Sequence, residues 1–111
     1  MLVAIRDAYG YVSISIEDSK TGSYLTALHT ESVKNIEKIK FDCSDISILS
    51  GFYLLLKNYA TDHNIEYIEW QVPVSDIMSS KFLIGQNFKI LGYIPAWIPS
   101  KKHIGMFEDV V

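Results

Sequence analysis

Tyr11 to Glu17 alternates strictly, with Val12, Ile14 and Ile16 apolar and Ser13, Ser15 and Glu17 polar. Period two predicts a half-buried strand, because successive side chains leave a strand on opposite faces. Leu2 to Arg6 is a second extended run, and Gly10 in the joint Ala8-Tyr9-Gly10 favours a tight hairpin between them. Asp18-Ser19-Lys20-Thr21-Gly22-Ser23 is a polar turn cluster. Tyr24 to Thr30 predicts a third strand, with Tyr24, Thr26 and Leu28 on one face and Leu25, Ala27 and His29 on the other. Glu31 to Asn35 reads as a loop. Ile36 to Cys43 predicts a fourth strand, with Ile39, Phe41 and Cys43 on one face and Lys38, Lys40 and Asp42 on the other.

The period then changes. Ile48, Leu49, Phe52, Leu55, Leu56, Tyr59 and Ala60 recur at intervals of three and four, the apolar stripe of an amphipathic helix. Ser44, Asp45 or Ser47 can cap its start, and Asn64 can end it in a left-handed turn. Tyr67 to Val72 predicts an interior strand, closed by Pro73. Ser75 caps a shorter helix from Asp76 to about Gln86 that turns Ile77, Phe82, Leu83 and Ile84 to the core. Phe88 to Ile94 and Gly105 to Val111 form a closing strand pair, separated by a loop with Pro95, Pro99, Lys101, Lys102 and His103. The order is β-β-β-β-α-β-α-β-β. The strand-helix-strand crossover from Ile36 to Val72 should be parallel and the flanking hairpins antiparallel. The expected fold class is α/β (α+β): one domain, 1–111, with a mixed, mostly antiparallel twisted sheet and two helices.

Composition narrows the class. The 111 residues are 49% hydrophobic and 13% aromatic, enough for one packed core. The net charge of −3 and the absence of a basic stripe exclude the electrostatic footprint of a nucleic-acid binder. Arg6 and Asp7 break the N-terminal apolar run, so no signal peptide or membrane span is expected. The single cysteine, Cys43, cannot form an internal disulfide and points to a reducing, cytoplasmic setting. Its neighbours Asp42 and Asp45 should raise its pKa, which fits a small strand-end residue better than a nucleophile.

The stretch Ile65 to Pro99 carries a resemblance. Tyr67-Ile68-Glu69-Trp70-Gln71-Val72-Pro73, then Ser75-Asp76, then Asn87-Phe88 and Gly92, resemble the C-terminal two-thirds of the GNAT superfamily of N-acetyltransferases. Met106-Phe107-Glu108-Asp109-Val110-Val111 is similar to that family's last strand, and the resemblance covers most of residues 36 to 111. Asn87 stands where the family has the Gly of a Gly-Phe pair, and Asn tolerates the left-handed turn expected there. The resemblance implies a truncated, divergent acyl-CoA N-acyltransferase fold, with acetyl-CoA as cofactor and an amine as acceptor.

Three departures qualify it. The family's Gly-rich loop, whose amides hold the coenzyme A pyrophosphate at a helix start, is replaced by Asp42-Cys43-Ser44-Asp45-Ile46-Ser47-Ile48-Leu49-Ser50-Gly51. Ser44 and Ser47 are the candidate phosphate donors there, while the two carboxylates Asp42 and Asp45 oppose a pyrophosphate by about 1 kcal/mol at a wet surface. The family's general acid, a Tyr four residues before the Gly of Gly-Phe, corresponds to Leu83, which has no proton to give. Against the resemblance, the family's first strand and first two helices, which usually build the acceptor-amine side, are also expected to be missing. No catalytic residue is therefore assigned, and a noncatalytic ligand-binding or dimerising module is the alternative.

His29, His63 and His103 have no partners at ligand spacing, so no metal is expected. His63 suits a helix C-terminus, and His29 could be oriented by Glu31. Tyr93, Ile94, Trp97 and Ile98, with Pro95 and Pro99, make an apolar end that could join a second subunit, and a homodimer is expected.

Overall fold

The computed structural model describes residues 2–73, 75–86, 88–95 and 103–110. Among these residues seven strands form one mixed sheet: β1 (Leu2–Arg6), β2 (Tyr11–Asp18), β3 (Ser23–Thr30), β4 (Asn35–Asp42), β5 (Tyr67–Pro73), β6 (Lys89–Pro95) and β7 (His103–Val110). Helix α1 (Ile46–Asp62) joins β4 to β5, and α2 (Ile77–Gly85) joins β5 to β6. The strand order is β1-β2-β3-β4-β5-β7-β6. Only β4 and β5 run parallel, as a crossover through a helix requires; every other neighbouring pair is antiparallel.

The alternation of β2 is realised: Val12, Ile14 and Ile16 are buried. Gly10 (φ 86°) and Gly22 (φ 73°) supply the left-handed residues of the two N-terminal turns. On β3 the face of Leu25, Ala27 and His29 is the buried one. The loop after it holds a short 3-10 turn, Glu31–Val33.

Helix α1 lays Leu49, Phe52, Leu56, Tyr59 and Ala60 on the sheet, with Ile48 and Leu55 partly buried. Tyr53 is buried as well, outside the predicted stripe. Asp45 is the cap, accepting from the Ile48 amide at 3.0 Å. Asn64 takes the expected left-handed conformation (φ 55°), one residue past the C-cap His63.

Helix α2 differs more. Asp76 caps it in place of Ser75, accepting from the Ser79 amide at 3.1 Å. Leu83 is wholly buried and Phe82 partly so, but Ile77 and Ile84 face solvent at 63% and 49% exposure. The short helix has apolar residues on every side, so no stripe marks the inward face. Both helices pack on one face of the sheet. No described helix covers the opposite face, with Ser13, Ser15, Tyr24 and Thr26, and no helix separates β1 from β2. Asn87 and residues 96–102, including Trp97, Ile98, Pro99, Lys101 and Lys102, lie outside the described residues.

Candidate functional site

The site arises from an irregularity in β4. Period two would place Ile36 with Lys38 and Lys40, yet Ile36 and Ile39 are both buried. Lys38 explains this: it adopts φ 55°, and the β3–β4 register shifts between Thr26 and Leu28. This is a β-bulge, which inserts a residue, flips the subsequent side chains and bends the strand. Lysine at positive φ is uncommon and costs energy.

The consequence appears on the other side of β4. The β4–β5 ladder has just two pairs, Asn35 with Tyr67 and Ile36 with Ile68. Beyond the bulge no ladder pair joins the two strands. A cleft of about 480 Å³ follows, lined by Glu37, Lys38, Ile39, Lys40, Glu69, Gln71 and Pro73. Its walls mix carboxylates and ammonium groups over an apolar floor, and Gln71 Nε2 donates to Glu69 Oε1 at 3.2 Å.

On the helix side rings pack where the ladder is absent. Phe41 of β4 meets Trp70 of β5 edge to face, with centroids 5.3 Å apart. Tyr53 of α1 lies 6.4 Å from Trp70 and 5.7 Å from Phe82 of α2. Phe88 closes the cluster, 6.2 Å from Trp70 and 5.9 Å from Tyr53. Trp70 is fully buried, and its indole Nε1 has no hydrogen-bond partner among the described residues. Phe88 is held after α2 by its amide, which donates to the Leu83 carbonyl at 3.1 Å.

At the start of α1 the sequence candidates are placed but already engaged. The Ser44 amide donates to Ser23 Oγ at 3.0 Å. The Ser47 hydroxyl donates to Asp45 Oδ1 at 2.6 Å, the oxygen that also caps Ile48. These bonds, Ser47's first, lower the Asp45 pKa and keep the group charged. Cys43 is half-buried beside it. Burial, reinforced by Asp42, Asp45 and Asp76, pushes its thiol up to about 11, as its acidic neighbours suggested. A thiol with that pKa is almost wholly protonated at neutral pH.

Leu83 is 0% exposed and packs in the core, with no route to a reacting group. Tyr93 lies on β6, its backbone paired with Gly105 of β7. His29 is buried, and its Nδ1 lies 2.7 Å from the Tyr59 hydroxyl. His63 stacks on the Tyr59 ring at 4.0 Å, and its Nδ1–H donates to the Tyr59 carbonyl at 2.9 Å. Glu31 does not orient His29; its carboxylate pairs with Arg6. Among the described residues no group of three or more His, Cys, Asp or Glu is placed to hold a metal.

The bulge and the cleft were missed by sequence reasoning. The one available signal was Ile36 and Ile39 three apart in a strand of otherwise alternating character. A helical turn gives the same spacing, so the signal was ambiguous.

No protein-family model matches the chain, and no curated protein sequence matches it. Solved structures do. A chimera of the spermidine N-acetyltransferase SpeG from Vibrio cholerae with hSSAT superposes at TM-score 0.61, with 14% identity, covering 93% of this chain and 71% of that one. A mutant of SpeG from Vibrio cholerae gives 0.62 at 15% identity, covering 93% of this chain and 67% of that one. Mutant forms of the spermidine/spermine N-acetyltransferase SpeG, also from Vibrio cholerae, give 0.62 at 14%, covering 93% and 68%. The chain shares the fold of these N-acetyltransferases, and the likeness extends beyond residues 36–111 to nearly the whole chain.

Proposed function

We propose that this chain is a noncatalytic module on the acetyltransferase-like fold: a single, cytoplasmic domain that self-associates and performs no ordinary acetyl transfer. The capping of α1 by Asp45 carries this reading. A pyrophosphate at a helix start needs free amides and a positive end. Here the carboxylate already accepts from the Ile48 amide and the Ser47 hydroxyl, and Asp42 and Asp76 add charge close by. The residues at this end do not fit the pyrophosphate of coenzyme A. Leu83, buried and without a proton to transfer, supports the same reading. The net charge of −3 argues against nucleic acid as a partner. Among the described residues no helix is long and apolar enough to cross a membrane.

The cleft between β4 and β5 favours a second reading, in which an acyl-CoA is still held, its acyl arm between the strands and Ser44 and Ser47 donating to its phosphates. That reading requires Ser47 to leave Asp45. An acetyl-transfer assay tests activity, with spermidine as acceptor because the structural neighbours are named for it. Acetyl-CoA should release free thiol no faster with the protein than without it. Spermidine-dependent thiol release by the wild-type chain would overturn the proposal.

A further inference from the structure

Strand β1 opens the sheet and, among the described residues, pairs with β2 alone. Its register with β2 determines which backbone groups are in use. The Asp7 amide donates to the Tyr11 carbonyl at 2.9 Å, next along from the Arg6–Val12 pair. Antiparallel pairs alternate between hydrogen-bonded and non-hydrogen-bonded positions. Counting back from Asp7, Ile5 and Val3 turn their N–H and C=O toward β2. Leu2, Ala4 and Arg6 turn theirs outward, where no strand among the described residues meets them.

That outward set is symmetric about Ala4. A second β1 laid antiparallel with Ala4 opposite Ala4 brings Leu2 opposite Arg6 and Arg6 opposite Leu2. Every outward group then meets an outward group, and each pair can exchange both of its N–H···O bonds. A one-residue slip would pair outward with inward groups and lose the ladder.

Side chains agree with this register. Val3 and Ile5, 48% and 67% exposed, lie on the open face of the sheet beside Ser15 and Ser13. In the symmetric pair each Val3 becomes the cross-strand neighbour of an Ile5, a favourable β-branched contact. Ala4 at the axis is small. Arg6 is neutralised by Glu31 of its own chain and faces Leu2, so no like charges meet. Protein edges that stay single are usually guarded by lysine, proline or a bulge. Leu2-Val3-Ala4-Ile5-Arg6 has none of these.

We propose that a second copy of this chain docks on β1 about a two-fold axis at Ala4, joining two sheets into one continuous sheet. This deepens the self-association proposed above and rests on it, but not on the reading of the cofactor end. Sedimentation velocity on the intact chain is the test, with Ala4→Pro and Ile5→Lys as variants. Proline at position 4 removes an amide that β2 does not use, so the hairpin survives while the outer edge is blocked. The wild-type chain should dimerise at micromolar concentration, and each variant should weaken the dimer at least tenfold. Should Ala4→Pro fail to fold, Ile5→Lys decides, since it changes only an exposed side chain. A wild-type chain that is monomeric at high micromolar concentration overturns both self-association and this interface. A dimer undiminished in the folded variants overturns the interface alone.

Discussion

Phe41 and Trp70 touch edge to face, centroids 5.3 Å apart, across two strands whose ladder ends after Ile36 and Ile68. Where backbone pairing stops, side-chain packing takes over, and it does so only on the helix side. The open side keeps the cleft. Edge-to-face rings contribute about 0.5–1.5 kcal/mol beyond the area they bury. The aromatic cluster therefore holds β4 and β5 at a fixed separation where no ladder does.

Trp70 is the centre of that cluster, so Trp70→Ala should cost about 3–5 kcal/mol of unfolding free energy. Trp70→Phe should cost clearly less. It keeps most of the ring volume and removes a buried indole N–H that has no partner among the described residues. Urea denaturation of both variants checks this. Equal losses would contradict the packing described here.

Lys38 tests the bulge. Lys38→Gly should leave stability unchanged or raise it by about 1 kcal/mol, because glycine adopts positive φ freely. Lys38→Val should destabilise, since a β-branched residue resists that conformation. In thermal unfolding, Lys38→Val should therefore melt below wild type and Lys38→Gly at or above it.

His29 gives the pH dependence. Burial first, then repulsion from His63, lowers its pKa below the ordinary histidine value, while Glu31 partly opposes them. The neutral ring is the one that fits the fold beside Tyr59. Stability should be full above the unfolded-state pKa of about 6.5 and should fall as pH drops from there through the lower folded-state value. His29→Gln should flatten that part of the profile in thermal melts from pH 7.5 down to pH 5. Tyr59→Phe should cost about 1–3 kcal/mol at neutral pH by leaving the buried imidazole without its 2.7 Å partner.

Cys43 should resist alkylation at neutral pH, since its thiol is pushed up to about 11. Its rate with iodoacetamide should climb steeply as pH rises toward that value. Asp45→Asn should speed the reaction by removing one of the charges that oppose the thiolate.

Most of the fold was legible because its signals are local. The alternation of Val12, Ile14 and Ile16, the stripe from Leu49 to Ala60 and the glycine turns each follow from a short stretch of chain. The parallel β4–β5 pairing followed from the helix between them. What was not legible depends on contacts between distant segments. Tyr53 is buried because Trp70, Phe82 and Phe88 converge on it from other elements. Ile77 and Ile84 are exposed because Leu83 and Phe82 face the core and a nine-residue helix cannot bury every side. The cleft required the Lys38 bulge, and nothing about a lysine announces positive φ. Ser44 and Ser47 lie at the start of α1, but that Asp45 takes the Ser47 hydroxyl is a matter of three-dimensional geometry.

The central claim is that the α1 terminus, capped by Asp45, does not anchor coenzyme A. Thermal unfolding of the wild-type chain across a titration of acetyl-CoA into the millimolar range tests it most directly. A ligand at a hundred times its Kd would add about 2.7 kcal/mol to the folded state and raise Tm visibly. The account predicts no saturable rise. A saturable rise that disappears in the Ser44→Ala, Ser47→Ala double variant would contradict it.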